Sequence, residues 1–190
     1  MSEILSPAFF SRPTVTVAQE LLGKFLLTPA GGGPIIETEA YHQDGDPACH
    51  AYNGKRTPRT ASMYLAPGHL YVYSIHQVFC LNLVTETAGV GAAVLIRGLI
   101  PAVNVEQMLT YRPVPLKRLS DGPGKLCQAL NIDKSWDRQA LSQTPGQGLW
   151  LENRGLTFDY EATSRIGIRK GTELMWRFYA PPKQYKGYNS

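Results

Sequence analysis

The chain has 190 residues, of which 43% are hydrophobic and 18% charged, a balance that supports a packed core and excludes an intrinsically disordered protein. Its 18 glycines and 14 prolines favour a fold with many turns over a helical bundle. The net charge of +4 is compatible with a nucleic-acid partner and equally with an ordinary basic surface.

The sequence also predicts where the protein acts. It contains no run of 18 apolar residues, so no membrane span is predicted, and its N-terminus lacks the pattern of an export signal. Cys49, Cys80 and Cys127 are too few and too widely spaced for a disulfide framework. We therefore expect reduced thiols and a cytoplasmic protein.

In chain order, the first half predicts one helix, two strands and a long loop. Residues 13–22 favour a helix, with proline in the first turn and glycine just past its end. Residues 24–29 predict a strand, 30–33 a glycine-rich turn and 34–41 the returning strand. Residues 42–62 are polar without a sustained period, and a loop of that length is usually functional.

The second half predicts more strands than helices. Strands 70–75 and 78–84 form a hairpin, strand 92–100 follows, and helices are predicted at 101–111 and 123–131. The short strands of the last third are at 149–152, 165–168 and 174–179.

These elements combine into one architecture. Strands that follow one another through short connections pair antiparallel, and the helices cover the sheet. We predict a single α+β domain over residues 1–190, with a curved, largely antiparallel sheet and a flexible tail at about 181–190.

One predicted strand carries two carboxylates. Side chains alternate along a strand, so Glu37, Glu39 and Tyr41 share a face, as they would on an ordinary exposed sheet. Arg97, however, lies within the apolar run 92–100, and a buried guanidinium needs a charged partner. The predicted partner is Glu39 or Glu37. The two side chains form either a structural ion pair or a site in which arginine holds the carboxylate ionised and available as a base.

Aromatic and basic side chains surround these carboxylates in the sequence. Tyr41, His50, Tyr52, Tyr71 and Tyr73 either fill a sheet edge or stack on a flat heterocycle. The segment 55–59 carries three positive and no negative charges, so it either holds phosphates or is a solvated loop.

Two further patterns suggest ligands. Residues 122–125, Gly-Pro-Gly-Lys, resemble the end of a phosphate-binding loop, but Leu126 stands where that motif needs serine or threonine. A helix N-terminus there remains able to meet one phosphate. A second group has metal-capable side chains whose spacing matches no standard zinc module, so we expect no metal. Its members are His42, Asp44, Asp46, Cys49 and His50.

Several of these segments together resemble the 3-methyladenine DNA glycosylase family of the alkyladenine type. The resemblance runs from about residue 8 to 180 and rests on IIETEAY (35–41), KRTPRTASMYLAPGHLYVY (55–73), FCLN (79–82), LIRGLIP (95–101) and GPGKLCQALNID (122–133). It implies an enzyme that flips a damaged purine out of duplex DNA and hydrolyses its N-glycosidic bond without a metal or cofactor.

The resemblance also implies the site residues. Glu39 falls on the residue that deprotonates the attacking water, and Arg97 on the arginine beside that water.

The implied base pocket is aromatic. Tyr41, His50 and Tyr73 fall on the residues that enclose the flipped base, and Asn82 on the asparagine that rejects normal guanine.

The resemblance fails at one point, the hairpin that inserts into DNA. The family's wedge tyrosine has no counterpart in residues 74–78, so Ile75 or His76 is predicted to take that role. Phosphate contacts are predicted for the basic segment and for the helix at 123–131, through Lys55, Arg56, Arg59 and Lys125.

The sequence thus predicts a monomeric, monofunctional glycosylase acting on double-stranded DNA that contains alkylated or deaminated purines. Two alternatives stay open: a non-catalytic module that binds damaged DNA, and a small-molecule hydrolase that uses Glu39 as a base.

Overall fold

A computed structural model describes residues 2–75 and 77–187. Within them the strands form one open antiparallel sheet in the order β1-β7-β2-β3-β6-β5-β4, and β9 pairs with both β3 and β8. The strands are β1 Glu3–Ile4, β2 Phe25–Thr28, β3 Gly31–His42, β4 Leu70–Ile75, β5 Val78–Val84, β6 Ala92–Leu99, β7 Trp150–Asn153, β8 Glu161–Thr163 and β9 Arg177–Tyr179. The predicted α+β class with a largely antiparallel sheet is confirmed.

Four short α-helices pack around this sheet. They are α1 Pro7–Phe10, α2 Thr14–Glu20, α3 Val105–Tyr111 and α4 Pro123–Ala129. Short 3-10 turns complete the structure, including Tyr52–Gly54 and Ala61–Tyr64 in the loop after β3. No helix in the described part of the chain combines the length and apolar character that crossing a bilayer requires.

The strand β3 organises the molecule because it pairs with three others. Its first half pairs with β2, and its second half lies between β6 and β9. The predicted turn at 30–33 is instead the start of this strand. A side chain at Gly32 would collide with the carbonyl oxygen of Leu26, and one at Gly33 with that of Ile100. The glycines therefore permit close backbone approach rather than a turn.

Alternation along the strands separates the main core from the candidate site. Leu70 and Val72 of β4 join the main core, whereas Tyr71 and Tyr73, which alternate with them, belong to a second cluster on the other face. The same alternation continues through β5 and β6. One face of the sheet is thus free to build a cavity.

The loop after β8 differs from the sequence prediction. A strand is predicted at residues 165–168, but the strand lies at Glu161–Thr163 and residues 165–168 form an irregular loop. Gly167 has a φ of +78°, and the Arg165 side chain turns inward to a buried partner. An interior contact therefore overrides the local preference for a strand.

The predicted helix 101–111 begins later than expected. Its helical part is Val105–Tyr111, and Asn104 before it has a left-handed φ of +50°. At the C-terminus, Pro182–Gln184 forms a 3-10 turn and the Tyr185 ring packs edge-on against Phe25. Flexibility of the tail stays a prediction.

Candidate active site

A cavity of about 560 Å³ opens on the face of the sheet opposite the main core. Its walls come from the end of β3, the β4–β5 hairpin, β6 and two loops, at 47–50 and 166–170. Five of the six predicted catalytic and pocket residues line it, although they are far apart in sequence, and the sixth, Glu39, is fully buried and does not line it. Those that line it are Tyr41, His50, Tyr73, Asn82 and Arg97.

Glu39 has no exposed surface and accepts three hydrogen bonds. Its Oε2 accepts from the Tyr41 hydroxyl at 2.8 Å and from Arg97 Nη1 at 3.4 Å. Its Oε1 accepts from the backbone N–H of Ile166 at 2.7 Å. A carboxylate offers about four acceptor positions, so these three donors leave room for one more.

Arg97 lies between two carboxylates. Its Nε donates to Glu37 Oε1 at 2.9 Å, in addition to the contact with Glu39. Burial alone would lower the pKa of this guanidinium, but the charges of Glu39 and Glu37 outweigh burial and raise it. Arg177 Nε also donates to Glu37, at 2.6 Å, so the three side chains form a partly buried charge network that contacts Glu39 through Arg97.

Arg97 lies at a β-bulge but keeps the alternation of β6. The register pairs Glu37 with Gly98 and Thr38 with Ile96, so it skips Arg97. Leu95 and Arg97 both line the cavity, whereas Ile96 between them belongs to the main core. The guanidinium therefore lies on the same face of the sheet as its partners on β3.

Aromatic rings form the cavity wall. The His50 and Tyr73 rings meet edge to face with centroids 4.8 Å apart, and Tyr71 and Tyr73 lie 5.2 Å apart at 35°. Tyr41 joins the same apolar cluster. Burial, and then the charge of Glu39, raise the pKa of the Tyr41 hydroxyl, which therefore stays protonated as a donor to Glu39.

His50 is held in its neutral form. Its Nδ1 lies 2.9 Å from the Tyr71 hydroxyl. Burial, and then the charge of Arg59, lower its pKa to about 4. A neutral imidazole can present one donor or one acceptor to a bound heterocycle without adding charge.

Asn82 is buried and has a fixed amide. Its Nδ2 donates to the carbonyl oxygens of Tyr71 at 3.0 Å and Cys80 at 3.3 Å. With both amide hydrogens engaged, the side chain forms a rigid part of the wall.

The predicted basic residues lie on the surface around the cavity. Arg59 places its guanidinium 4.9 Å from the Tyr73 ring centroid, at the site itself. Arg56 instead covers Tyr64 at 3.8 Å and donates to the carbonyl of Gly89. Lys55 is exposed at the end of the Tyr52–Gly54 turn.

The β4–β5 hairpin exposes an apolar side chain on each side of its turn. Ile75 is 40% exposed and also lines the cavity, and Val78 is 48% exposed. The predicted wedge candidate His76 lies outside the described residues.

The Gly-Pro-Gly-Lys pattern has a packing explanation. A side chain at Gly124 would come within 2.9 Å of Val78 Cβ, so glycine lets α4 approach the hairpin. Pro123 occupies the first turn of α4. Lys125 Nζ donates to Asp121 Oδ1 at 2.9 Å across one helical turn.

The polar side chains of 42–50 have separate partners. Asp46 binds Arg165, His42 contacts Glu86 at 3.2 Å, and His50 contacts Tyr71. Within residues 2–75 and 77–187, no three His, Cys, Asp or Glu side chains converge in a metal-binding arrangement.

The sequence did not indicate the contribution of loop 164–171. Arg165 and Asp46 form a fully buried ion pair, and Ile166 supplies a donor to Glu39. Arg169 and Lys170 add positive charge to the cavity wall. No periodicity or neighbouring charge in the sequence marks these positions, because their partners lie more than 100 residues away.

Sequence comparison shows which known proteins this chain is similar to. The profile of the family described as methylpurine-DNA glycosylase (MPG) matches residues 8–184. A protein of Sodalis glossinidius, provisionally named a 3-methyladenine DNA glycosylase, is 46% identical over 92% of this chain and 95% of its own length. A protein of Clostridium perfringens strain 13 with the same provisional name is 40% identical over 93% of this chain and 95% of its own length. Another, from Wolbachia pipientis of Culex pipiens, is 48% identical over 92% of this chain and 88% of its own length.

Proposed function

The chain belongs to the methylpurine-DNA glycosylase family, and we propose that it excises alkylated or deaminated purines from double-stranded DNA by hydrolysis. Acting as a monomer, it flips the damaged nucleotide into the cavity and leaves an abasic site. The observation that carries the proposal is Glu39, a fully buried carboxylate whose three donors belong to residues that line the aromatic cavity, Tyr41, Arg97 and Ile166.

Glu39 is the general base in this proposal. A water at its remaining acceptor position gives up a proton to the carboxylate as the water oxygen bonds to the sugar C1′. The C1′–N bond breaks and its electron pair leaves with the base. Arg97, Tyr41 and the Ile166 N–H hold the carboxylate in one orientation, which is the positioning that such a step requires.

The charge of the leaving base decides how much help it needs. A purine alkylated at a ring nitrogen is cationic and leaves as a neutral molecule. The carboxylate of Glu39 also stabilises positive charge on the sugar in the transition state, as acidic groups do in glycoside hydrolysis.

The aromatic wall selects a flat base. Tyr41 faces the base from one side and His50 and Tyr73 from the other, and stacking contributes about 1–3 kcal/mol per base. Asn82, fixed by its two hydrogen bonds, crowds the exocyclic amino group of normal guanine.

The surface around the cavity binds the DNA backbone and fills the vacated stack. Lys55, Arg59, Arg169 and Lys170 supply positive charge for phosphates. We assign the wedge to the exposed apolar tip of the β4–β5 hairpin, with Ile75 as the described residue closest to the cavity, because apolar side chains commonly insert between base steps.

The test of this proposal compares two substitutions of the same chemistry on one strand face. Glu39→Gln removes the base, so the single-turnover release of hypoxanthine from a duplex is expected to fall by about 10²–10⁴-fold while binding is retained. Glu37→Gln is the matched control, because Glu37 also binds Arg97 but has no place beside the water, and we expect a much smaller loss.

Equal losses in the two variants would mean that the charge network, rather than Glu39 as a base, supports excision. Near-wild-type release by Glu39→Gln would contradict the proposal outright. Urea unfolding of both variants establishes that each is folded when its rate is measured.

A further inference from the structure

We propose that Arg165 is the positioning residue that fixes Glu39, Tyr41 and the His50 loop relative to one another. The assignment rests on the proposed function, since it concerns how Glu39 is aimed at water and how Tyr41 meets the base. It adds a residue whose side chain has no exposed surface and does not line the cavity.

The first contact of Arg165 is a bidentate ion pair with Asp46. Nη1 lies 2.6 Å from Asp46 Oδ2, and Nη2 lies 2.6 Å from Asp46 Oδ1. Neither side chain has exposed surface. Asp46 belongs to the loop that carries His50, so this pair ties that loop to the segment containing Ile166. The planar fork of arginine matches a carboxylate in this geometry, which lysine cannot reproduce.

The second contact is with β3 itself. Arg165 Nη1 donates to the carbonyl oxygen of Ala40 at 2.9 Å, and Ala40 is the residue between Glu39 and Tyr41. The guanidinium carbon lies 4.5 Å from the centroid of the Tyr41 ring. Because Tyr41 lines the cavity and Arg165 does not, the guanidinium supports the ring from behind.

The third connection reaches Glu39 through the chain. Arg165 immediately precedes Ile166, whose N–H donates to Glu39 Oε1 at 2.7 Å. Tyr41, which donates to the other oxygen of Glu39, rests on the Arg165 guanidinium. Two of the three donors to Glu39 are therefore held by this one arginine.

The contacts of Arg165 fix the orientation of its guanidinium group but leave one of its N–H groups without an acceptor among the described residues. Its Nε is buried and none of the described residues accepts a hydrogen bond from it. A buried polar group without a partner is costly, so it calls for a compensating role. Here the guanidinium plane is set by Asp46, Ala40 and Tyr41, which all belong to the two sides of the site.

Arg165→Lys tests the assignment while keeping the buried positive charge beside Asp46. Lysine loses the bidentate fork and the flat contact with Tyr41. We expect the single-turnover excision rate to fall by up to about 100-fold, the loss typical of a misplaced reacting group, with affinity for undamaged duplex unchanged. Fluorescence of 1,N6-ethenoadenine in the duplex reports separately whether the base still stacks in the cavity.

Arg154→Lys is the matched control. Arg154 also pairs with a carboxylate, Glu152, at 2.8 Å and covers an aromatic ring, Phe25, at 4.1 Å, but it lies away from the cavity. The same loss in both lysine variants would assign Arg165 a general stabilising role and overturn the proposal, as would a wild-type rate in folded Arg165→Lys.

A second variant isolates the connection to Glu39. Ile166→Pro removes the N–H that donates to Oε1, and Ile166→Ala, which keeps that N–H, is the control for losing a side chain that lines the cavity. We expect the excision rate to fall in Ile166→Pro as it does in Arg165→Lys, with the Arg165–Asp46 pair retained. An unchanged rate would overturn the connection through Ile166.

Amide hydrogen exchange at Ile166 needs no activity. The exchange is expected to be slow in the wild type and faster in folded Arg165→Lys, because the donor has lost its fixed distance to Glu39. Unchanged protection overturns the positioning role. If the wild-type protein releases no base, the proposed function fails, whatever the exchange shows, so the two failures are distinguishable.

Discussion

At the scale of single residues, the site depends on how a carboxyl group is accommodated inside a protein. Glu39 has no exposed surface, and its oxygens accept hydrogen bonds from Arg97, the Tyr41 hydroxyl and the Ile166 N–H. The sequence predicts that Arg97 lies close to Glu39 or Glu37, because an arginine within an apolar strand needs a charged partner. The Ile166 contact could not be predicted, because it spans 127 residues and depends on the path of an irregular loop.

His50 leads to a prediction about pH and stability. In the unfolded chain its pKa is 6.5, whereas in the folded protein burial, and then Arg59, lower it to about 4. Between pH 6.5 and pH 4 the unfolded state takes up a proton that the folded state does not. The free energy of unfolding therefore falls as the pH is lowered through that window. The stability that comes from keeping His50 neutral is fully present above pH 6.5.

His50→Gln removes this proton uptake. In urea unfolding from pH 7 to pH 4, the variant should lose stability less steeply than the wild type, with a difference of up to about one proton in the slope. Parallel stability curves for the two proteins would contradict the neutral, buried state of His50.

At the scale of elements, pairing irregularities decide which side chains reach the cavity. The antiparallel hairpin β4–β5 and the strand β6 follow directly from alternating apolar runs, and they were predicted to within one or two residues. The bulge at Arg97 and the inward turn of loop 164–171 were not predictable. Both arise from tertiary contacts, with β3 in one case and with Asp46 in the other.

The β4–β5 hairpin carries the prediction about DNA. If its tip fills the gap left by a flipped base, Ile75→Ala should weaken binding to a duplex with an abasic-site analogue by about tenfold, about 1.4 kcal/mol. Leu116→Ala is the control, since Leu116 is equally exposed at 38% and does not line the cavity. If both variants lose the same affinity, or if neither loses affinity, the wedge does not lie at Ile75.

At the scale of the whole molecule, one sheet separates stability from function. The main apolar core lies on the face covered by the helices α1, α2 and α4, and the aromatic cavity lies on the other. The predicted fold class follows from composition and alternation, which are averaged over the whole chain. The exact cavity does not, because it needs segments from residue 39 to residue 170 to meet at ångström precision.

The charge on the cavity side predicts a salt-dependent interaction. Phosphate contacts release counterions, so duplex affinity should fall as salt concentration rises. A small-molecule hydrolase with the same Glu39 would show no such dependence, and a binding module would show it without chemistry.

The decisive experiment is the release of free base by the wild-type protein from a methylated duplex under single-turnover conditions. The reaction is run with EDTA, and its products are identified by mass spectrometry. We expect free methylated purines in amounts equal to the abasic sites formed, with the strands intact until alkali is added. Tight, salt-dependent binding of the duplex with no base released would contradict this expectation and would identify the protein as a non-catalytic module that binds damaged DNA.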